Sequence, residues 1–528
     1  MADTTGSVWG LDRGRGLCLG HILDRVRQGG QVAPDSPAVT FGGVTRSYGD
    51  LSDRSLRLGD WLQRAGMRRG DRIAVLMRNS LAWFDVVFAC GSYGFAWVPV
   101  NFMLKEEEIA FILNDSGARV LVFDEEAASL VEGLRARAVS VELYLQVGGS
   151  PTAGAVAFED CFRLSGAEPE QDIGGGDLLL IQYTSGTTGH PKGAVHTHET
   201  VMWNSYHQIV DFALRATEPW LCVPSLCWVA GLHDATLATL WLGGHVFLRP
   251  SGGTAEAIVR DIGESGAGAT LLVPTLVRRV VELVEREQVT LPMLQRVVTG
   301  GEPIDGATMD RFQKALPQAA LIQTYGMSEF PSWMTIMPGS RVADKRDSVG
   351  LCNSISALKI LGEDGQELAP LERGEIVVRS PATMVGYWRQ QAETDQTLSD
   401  GWLHTGDLGF RDEEGFVYIS GRKKDMYISG GINVYPAEVE DVIARHPGVA
   451  EVAVVGVPDQ EWGETGAAVI VGRGASPTAE EIRSLCRAHL ANYKVPRHVY
   501  FRSEPLPRTT SGKVLKRVLR DEISAVGR

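Results

Sequence analysis

Apolar residues along the first third of the chain follow two alternating spacings. Ile73 to Met77, Ala96 to Val100 and Val120 to Phe123 are short continuous runs, as in strands buried on both faces. Between such runs Leu51, Leu58, Trp61, Leu62 and Ala65 recur at helical intervals, Asn79 or Ser80 can cap a helix over Leu81 to Tyr93, and Leu104 to Leu113 reads as helix. Ala38 to Phe41 and Val44 to Tyr48, joined by Gly42-Gly43, predict a hairpin. The same alternation returns with apolar runs at Leu221 to Val223, His245 to Leu248, Thr270 to Val273, Arg296 to Thr299 and Ala319 to Ile322. No repeat of fixed period stands out, so the pattern predicts an α/β protein with parallel-rich sheets covered by helices.

One apolar run opens onto chemistry. Asp177-Leu-Leu-Leu-Ile-Gln182, bounded by glycines 174 to 176, is followed by Tyr183-Thr184-Ser185-Gly186-Thr187-Thr188-Gly189-His-Pro-Lys192-Gly193. Hydroxyls interleaved with glycines and closed by a lysine can wrap phosphate oxygens with backbone N–H groups and side chains. The spacing differs from GxxxxGK[ST], so the nucleoside-triphosphatase folds built on that loop are not implied. A plain polar surface loop has a similar composition, so the reading depends on the rest of the chain.

Composition narrows the class. With 528 residues, 44% hydrophobic and 22% charged, the chain predicts a soluble globular protein of two or more domains. It lacks a run of ~18 apolar residues, and its first residues lack a charged-then-apolar signal, which together predict a cytoplasmic protein. The seven cysteines are scattered and never in CxxC, fitting reduced packing residues better than disulfides or zinc ligands. The net charge of −14 is uneven: from Arg422 onward there are 16 Lys and Arg against 13 Asp and Glu, so the first 421 residues are strongly acidic. Such a body is a poor partner for nucleic acid.

Three further clusters carry candidate chemistry, the first where an α/β sheet commonly holds ligands. Thr299-Gly300-Gly301-Glu302-Pro303 follows a predicted strand. Gln323-Thr-Tyr325-Gly326-Met-Ser328-Glu329 offers a ring that can stack on a base and a carboxylate that can hold Mg²⁺. In Thr405-Gly-Asp407 a short acid beside glycine can accept hydrogen bonds from ribose hydroxyls. Together with the loop at 183 to 193, Gly421-Arg422-Lys-Lys424-Asp425, Gly430-Gly431 and Pro507-Arg-Thr-Thr-Ser-Gly512-Lys513, these resemble, in order, the core motifs of the adenylate-forming superfamily. The resemblance runs from about residue 30 to the C-terminus and points to the acyl-CoA synthetase branch.

The resemblance implies a large N-terminal part over 1–421 and a small mobile α+β domain over 422–528, with Lys424 as hinge. It implies two half-reactions: a carboxylate attacks the α-phosphate of ATP, and a thiol then captures the acyl adenylate. Lys192 and the loop residues Thr184, Ser185, Gly186, Thr187, Thr188 and Gly189 would meet the β- and γ-phosphates, and Glu329 would hold Mg²⁺. Gly301, Glu302, Pro303, Gln323, Tyr325, Gly326 and Ser328 would line the nucleotide, Asp407 and Arg422 the ribose. Lys513 would bridge the substrate carboxylate and the α-phosphate, while Ser429, Gly430 and Gly431 would flank the pantetheine of CoA. Cations are needed in any case, because an anion must approach a triphosphate.

Trp228, Gly231, His233 and Gly300 would line the acyl pocket. Many CoA ligases read Pro-Leu-Phe-His-Val-Ala-Gly in this region; here it is Pro224-Ser-Leu-Cys-Trp228-Val-Ala-Gly231, with Trp for His and one extra residue. The surrounding segments are mainly apolar and aromatic, which points to a medium- or long-chain or carbocyclic acid, with His207 and His233 available to a polar substituent. Asp234 is expected on a helix surface. The expected reactants are a carboxylic acid, ATP and CoA with Mg²⁺, and homodimerisation stays open. The alternative is an acyl-AMP ligase or stand-alone adenylation enzyme that loads a carrier protein.

Overall fold

The computed structural model describes residues 17–27, 32–167, 169, 173–184, 191–302, 304–430, 432–474, 477–508 and 514–526. The chain packs as two compact units, one of Met1–Ala357 with Val378–Leu403, the other of Leu358–Val377 with His404–Arg528.

The first unit holds two large mixed sheets. One orders its strands Gly386–Tyr387, Lys192–Thr197, Leu178–Thr184, Ala96–Pro99, Arg72–Leu76, Val120–Asp124, Leu143–Val147 and Val156–Ala157. It is parallel from Leu178–Thr184 onward and antiparallel at its first two pairings. The helix Glu106–Ser116 covers it, and Val98, Leu121, Phe123 and Ile181 share its core with Ile109 and Leu113. Among the described residues the other sheet has nine strands, parallel from Ala320–Met327 through Arg296–Gly300, Ala269–Leu271, Trp220–Cys222 and Val246–Leu248 to Pro37–Phe41. One end is closed antiparallel by Ser332–Ile336 and beyond it Leu351–Cys352, the other by Val44–Ser47. The Gly42-Gly43 turn, with φ of 58° and 80°, has the left-handed geometry that a two-residue hairpin requires.

The alternation expected from the sequence is present, with one local exception. Neither Asn79 nor Ser80 caps the helix Ala82–Tyr93, which begins without a side-chain cap at Leu81. Asn79 is buried instead, donating to the carbonyls of Pro224 and Arg249 and accepting from the N–H of Leu226 at 2.7 Å. An amide satisfied on three sides ties the C-terminal ends of interior strands of the two sheets together better than it could end a helix, because unpaired buried carbonyls are expensive.

In the second unit a sheet of five strands among the described residues runs Ile432–Val434, Tyr427–Ser429, Gly463–Gly472, Val449–Asp459, with His498–Arg502 pairing Gly463–Gly472. Helices Pro436–Ala444 and Ala479–His489 cover it through Val439, Ile443 and Ile482. Among the described residues no helix is long and apolar enough to cross a membrane.

Candidate active site

Register places the root of the glycine-rich loop. Leu178–Thr184 and Lys192–Thr197 pair antiparallel with Thr184 opposite Lys192 and Tyr183 opposite Gly193. Ser185, Gly186, Thr187, Thr188 and Gly189 lie outside the described residues. A side chain at Gly193 would come within 2.6 Å of Ile181, so the loop returns against its own strand with no room to spare.

Lys192 reaches two groups that local sequence reading misses. Its Nζ lies 2.5 Å from the Glu393 carboxylate and 5.3 Å from the centre of the Tyr387 ring. Tyr387 belongs to the short edge strand that pairs with Ala194 and Val195, and its hydroxyl donates to Glu329 Oε1 at 2.7 Å. The carbonyl of Glu329 accepts from the N–H of Met384 at 2.8 Å, and that of Ser328 accepts from His196 Nε2, also at 2.8 Å. Strand pairing thus brings Thr184, Lys192 and Glu329 to one place, with Tyr387 between lysine and carboxylate. Burial, and after it the charge of Glu329, pushes the Tyr387 phenol up, so it stays a donor. Gly386-Tyr387-Trp388, a glycine before two aromatics, is the one sequence signal that could have marked this strand.

The nucleotide candidates gather on adjoining strands. Gly300 pairs with Thr324 across parallel strands, and a side chain there would come within 2.7 Å of the Thr324 oxygens. Gly301 has φ of 83° with open space where a side chain would stand, and Glu302 is half-buried beside it. Pro303 lies outside the described residues. The Tyr325 motif continues the strand Ala320–Met327, with Tyr325 buried. Gly326 is forced: any side chain would sit 1.5 Å from the Ser332 carbonyl oxygen. Gln323 donates to the Arg346 carbonyl at 2.6 Å, so its amide N–H₂ is already engaged within the protein.

Near the candidate acyl pocket, Trp228 is half-buried and precedes the short helix Val229–Leu232. Gly231 presses on Ser225, whose carbonyl oxygen would lie 2.1 Å from an added side chain. His233 is buried and stacked on Trp97, ring centres 6.1 Å apart. His207 corrects an expectation: Asn204 and Asp211 engage both its ring nitrogens, so it is not available to a substrate. Asp234 is a second correction. It is buried, accepts from the Ser332 hydroxyl, and burial pushes its carboxyl up to about 7. Gln208 ties this group together, donating to the His233 carbonyl and to Ser332 Oγ and accepting from the N–H of Ala235. Ala235 and Ser332 both have positive φ, 61° and 135°, so the backbone is strained on either side of the Asp234–Ser332 contact.

In the second unit Asp407 and Arg422 face each other across paired strands, with Arg422 Nε 3.1 Å from Asp407 Oδ1. The Asp407 N–H donates to Thr405 Oγ1 at 3.1 Å. Glu375, another residue unmarked by sequence, accepts from the Gly406 N–H at 3.2 Å and meets Lys423 at 3.1 Å. Burial works the other way, yet Lys423 and His404 hold its carboxyl below the usual range. Lys424 is exposed in the turn after Arg422. Ser429 is buried, and Gly430, at φ of 59°, faces Trp462, whose ring would lie 2.6 Å from a side chain. Gly431 and Lys513 lie outside the described residues.

Two mixed sheets, with a loop lysine and a carboxylate meeting at Tyr387, fit the adenylate-forming class of enzymes. The chain belongs to the AMP-binding enzyme family: the model for AMP-binding enzymes matches residues 26–388, and that for the AMP-binding enzyme C-terminal domain matches 438–513. It is 37% identical over 488 residues to a feruloyl-CoA synthase from Amycolatopsis sp, covering 92% of this chain and 96% of that one. To the long-chain-fatty-acid–CoA ligase FadD13 of Mycobacterium tuberculosis it is 34% identical over 490 residues, 91% and 94% of the two chains. Its structure resembles that of the anthranilate CoA ligase AuaEII in complex with anthranoyl-AMP, with a TM-score of 0.89, 26% identity, and 98% and 99% of the two chains covered.

Proposed function

We propose that this AMP-forming acid–thiol ligase joins a hydrophobic carboxylic acid, aromatic or fatty, to CoA through an acyl adenylate. The observation that carries the reading is the convergence of Thr184, Lys192 and Glu329 on Tyr387 at the mouth of the glycine-rich loop. In the first step an oxygen of the acid attacks the α-phosphorus of ATP, the bond to the β-phosphate breaks, and pyrophosphate leaves. Lys192, and Lys513 by motif, supply positive charge as the two anions meet. Glu329 has one carboxylate oxygen held by Tyr387, and one carboxylate plus substrate phosphates is the donor set Mg²⁺ prefers. Bound there, the ion would neutralise the departing pyrophosphate.

In the second step the CoA sulfur attacks the acyl carbon and AMP leaves. We assign Asp407 and Arg422 to the ribose, Tyr325 and Gly301 to the base, and Ser429 and Gly430 to the pantetheine arm. Residues 1–421 and 422–528 form the functional division, with Lys424 as the residue whose backbone changes between the two steps. Support for the hinge is its exposed turn beside the Asp407–Arg422 pair. A screen of carboxylic acids with ATP and Mg²⁺, with and without CoA, tests the whole, following pyrophosphate release and product mass. Thioester masses are expected. Adenylates that persist with CoA present would assign the enzyme to carrier-protein loading instead.

A further inference from the structure

Asp115, in the helix Glu106–Ser116, reaches to both sides of the strand that carries the loop lysine. It is half-buried in the last turn of that helix, a turn with no basic residue of its own. Its Oδ2 accepts from the Tyr183 hydroxyl at 2.5 Å, and its backbone carbonyl accepts from Trp388 Nε1 at 2.9 Å. Tyr183 stands opposite Gly193 on the strand Leu178–Thr184, one residue before Thr184. Trp388 directly follows Tyr387, and its own N–H donates to the Gly193 carbonyl at 2.8 Å. The strand Lys192–Thr197 runs between Leu178–Thr184 and Gly386–Tyr387, so Asp115 brackets it one residue from Lys192. A side chain at Gly193 would come within 3.1 Å of the Tyr183 ring and 3.4 Å of Trp388, so both arms of the bracket press on the strand where they meet it.

Ordinary helix chemistry does not call for an acid here. A carboxylate in the last turn faces the negative end of the helix dipole, an unfavourable position that its partners must offset. The terminal carbonyls of a helix need donors of some kind, and Arg72 supplies them for Ser116 and Gly117 at 2.8 and 2.7 Å. At Asp115 the donors come instead from beside the edge strand, the Trp388 indole and Arg389 Nη1 at 3.3 Å. Burial, and after it the contact with Asp115, pushes the Tyr183 phenol up, so it stays a donor. Register decides where Lys192 points, since a slip of one residue turns a strand's side chains to the opposite face. We propose that Asp115 is a positioning residue for the phosphate-binding lysine. It holds the hairpin in register through Tyr183 and the edge strand through Trp388, which keeps Lys192 aimed at the β- and γ-phosphates of ATP. This rests on the ligase reading above and adds a residue to the same site.

Nucleotide binding separates this role from a general contribution to folding, because ATP carries the β- and γ-phosphates and AMP does not. Isothermal titration of the full chain with ATP and Mg²⁺ should show the Kd for ATP rising ~10-fold in Asp115→Ala, while the Kd for AMP stays within about twofold of wild type. Tyr183→Phe, which removes one hydroxyl, should match Asp115→Ala, and combining the two should add less than about twofold, as for residues that share one bond. Should Asp115→Ala not fold, Tyr183→Phe decides alone. Asp115→Asn keeps an oxygen that accepts from Tyr183 and should return the Kd for ATP to within about threefold of wild type. Equal losses for ATP and AMP would make Asp115 a residue of the fold and overturn the proposal, as would an unchanged Kd for ATP in Tyr183→Phe; either leaves the ligase reading standing. A wild-type chain that binds neither nucleotide removes the ligase reading and the proposal with it.

Discussion

The two polar clusters of the larger unit treat charge in opposite ways. At the loop, Lys192 is 15% exposed and meets the Glu393 carboxylate, while Glu329 accepts a hydrogen bond from the Tyr387 phenol. Across the same sheets, His196, His233 and Asp234 are buried without a counter-ion among the described residues, and burial pushes them toward their neutral forms. The difference is one of surroundings: a charge near the surface keeps a counter-ion within reach, whereas a titratable group buried without one is displaced toward its neutral form.

The contrast breaks most visibly at Glu329. Glu329→Ala should lower pyrophosphate release by ~10²- to 10³-fold and weaken the dependence on Mg²⁺ concentration. A loss under tenfold would mean the metal is held elsewhere. Asp234 offers the opposite test. Its carboxyl sits near 7 in the folded protein against ~3.9 in an unfolded chain. The folded state therefore binds a proton that the unfolded state has released. The stability this contributes is full below about pH 4, falls away between about pH 4 and 7, and is gone above. Its size is on the order of 4 kcal/mol at most. Urea melts of the wild type should lose stability across that window more steeply than Asp234→Asn, which does not titrate. Parallel profiles would place ionised Asp234 in the fold.

Smaller effects sharpen the loop side. Tyr387→Phe removes one hydrogen bond from Glu329 and should raise the KM for Mg-ATP by ~5- to 10-fold with the fold intact by circular dichroism. Glu393→Gln should do the reverse by ~2-fold, since it releases Lys192 from a partly exposed ion pair that is worth little. A weaker KM in Glu393→Gln would show that the pair positions the lysine.

How far these clusters were legible in the sequence depended on the distance between partners. The strand before the loop, the helix behind Leu51 and the placement of Glu329 after a strand follow from spacing within some twenty residues. Tyr387 and Glu393 were invisible because a two-residue edge strand has no periodicity and Glu393 lies 201 residues from Lys192. Asp234 was misread for the same reason. Its spacing suits a helix surface, and only Ser332, 98 residues away, reveals it as buried. His207 looks available in the sequence because Asn204 and Asp211 become its partners only once the helix sets them one turn to either side.

The pairing of Lys192–Thr197 with Gly386–Tyr387 also has a meaning in time. A ribosome adding ~5–20 residues per second delivers the second strand roughly 10 to 40 s after the first. Throughout that interval the nascent chain carries an unpaired strand edge beside the glycine-rich loop, a template for pairing with neighbouring chains. Messages truncated before residue 386 should therefore yield product that accumulates in inclusion bodies, and slowing translation between these strands should lengthen the demand for chaperones.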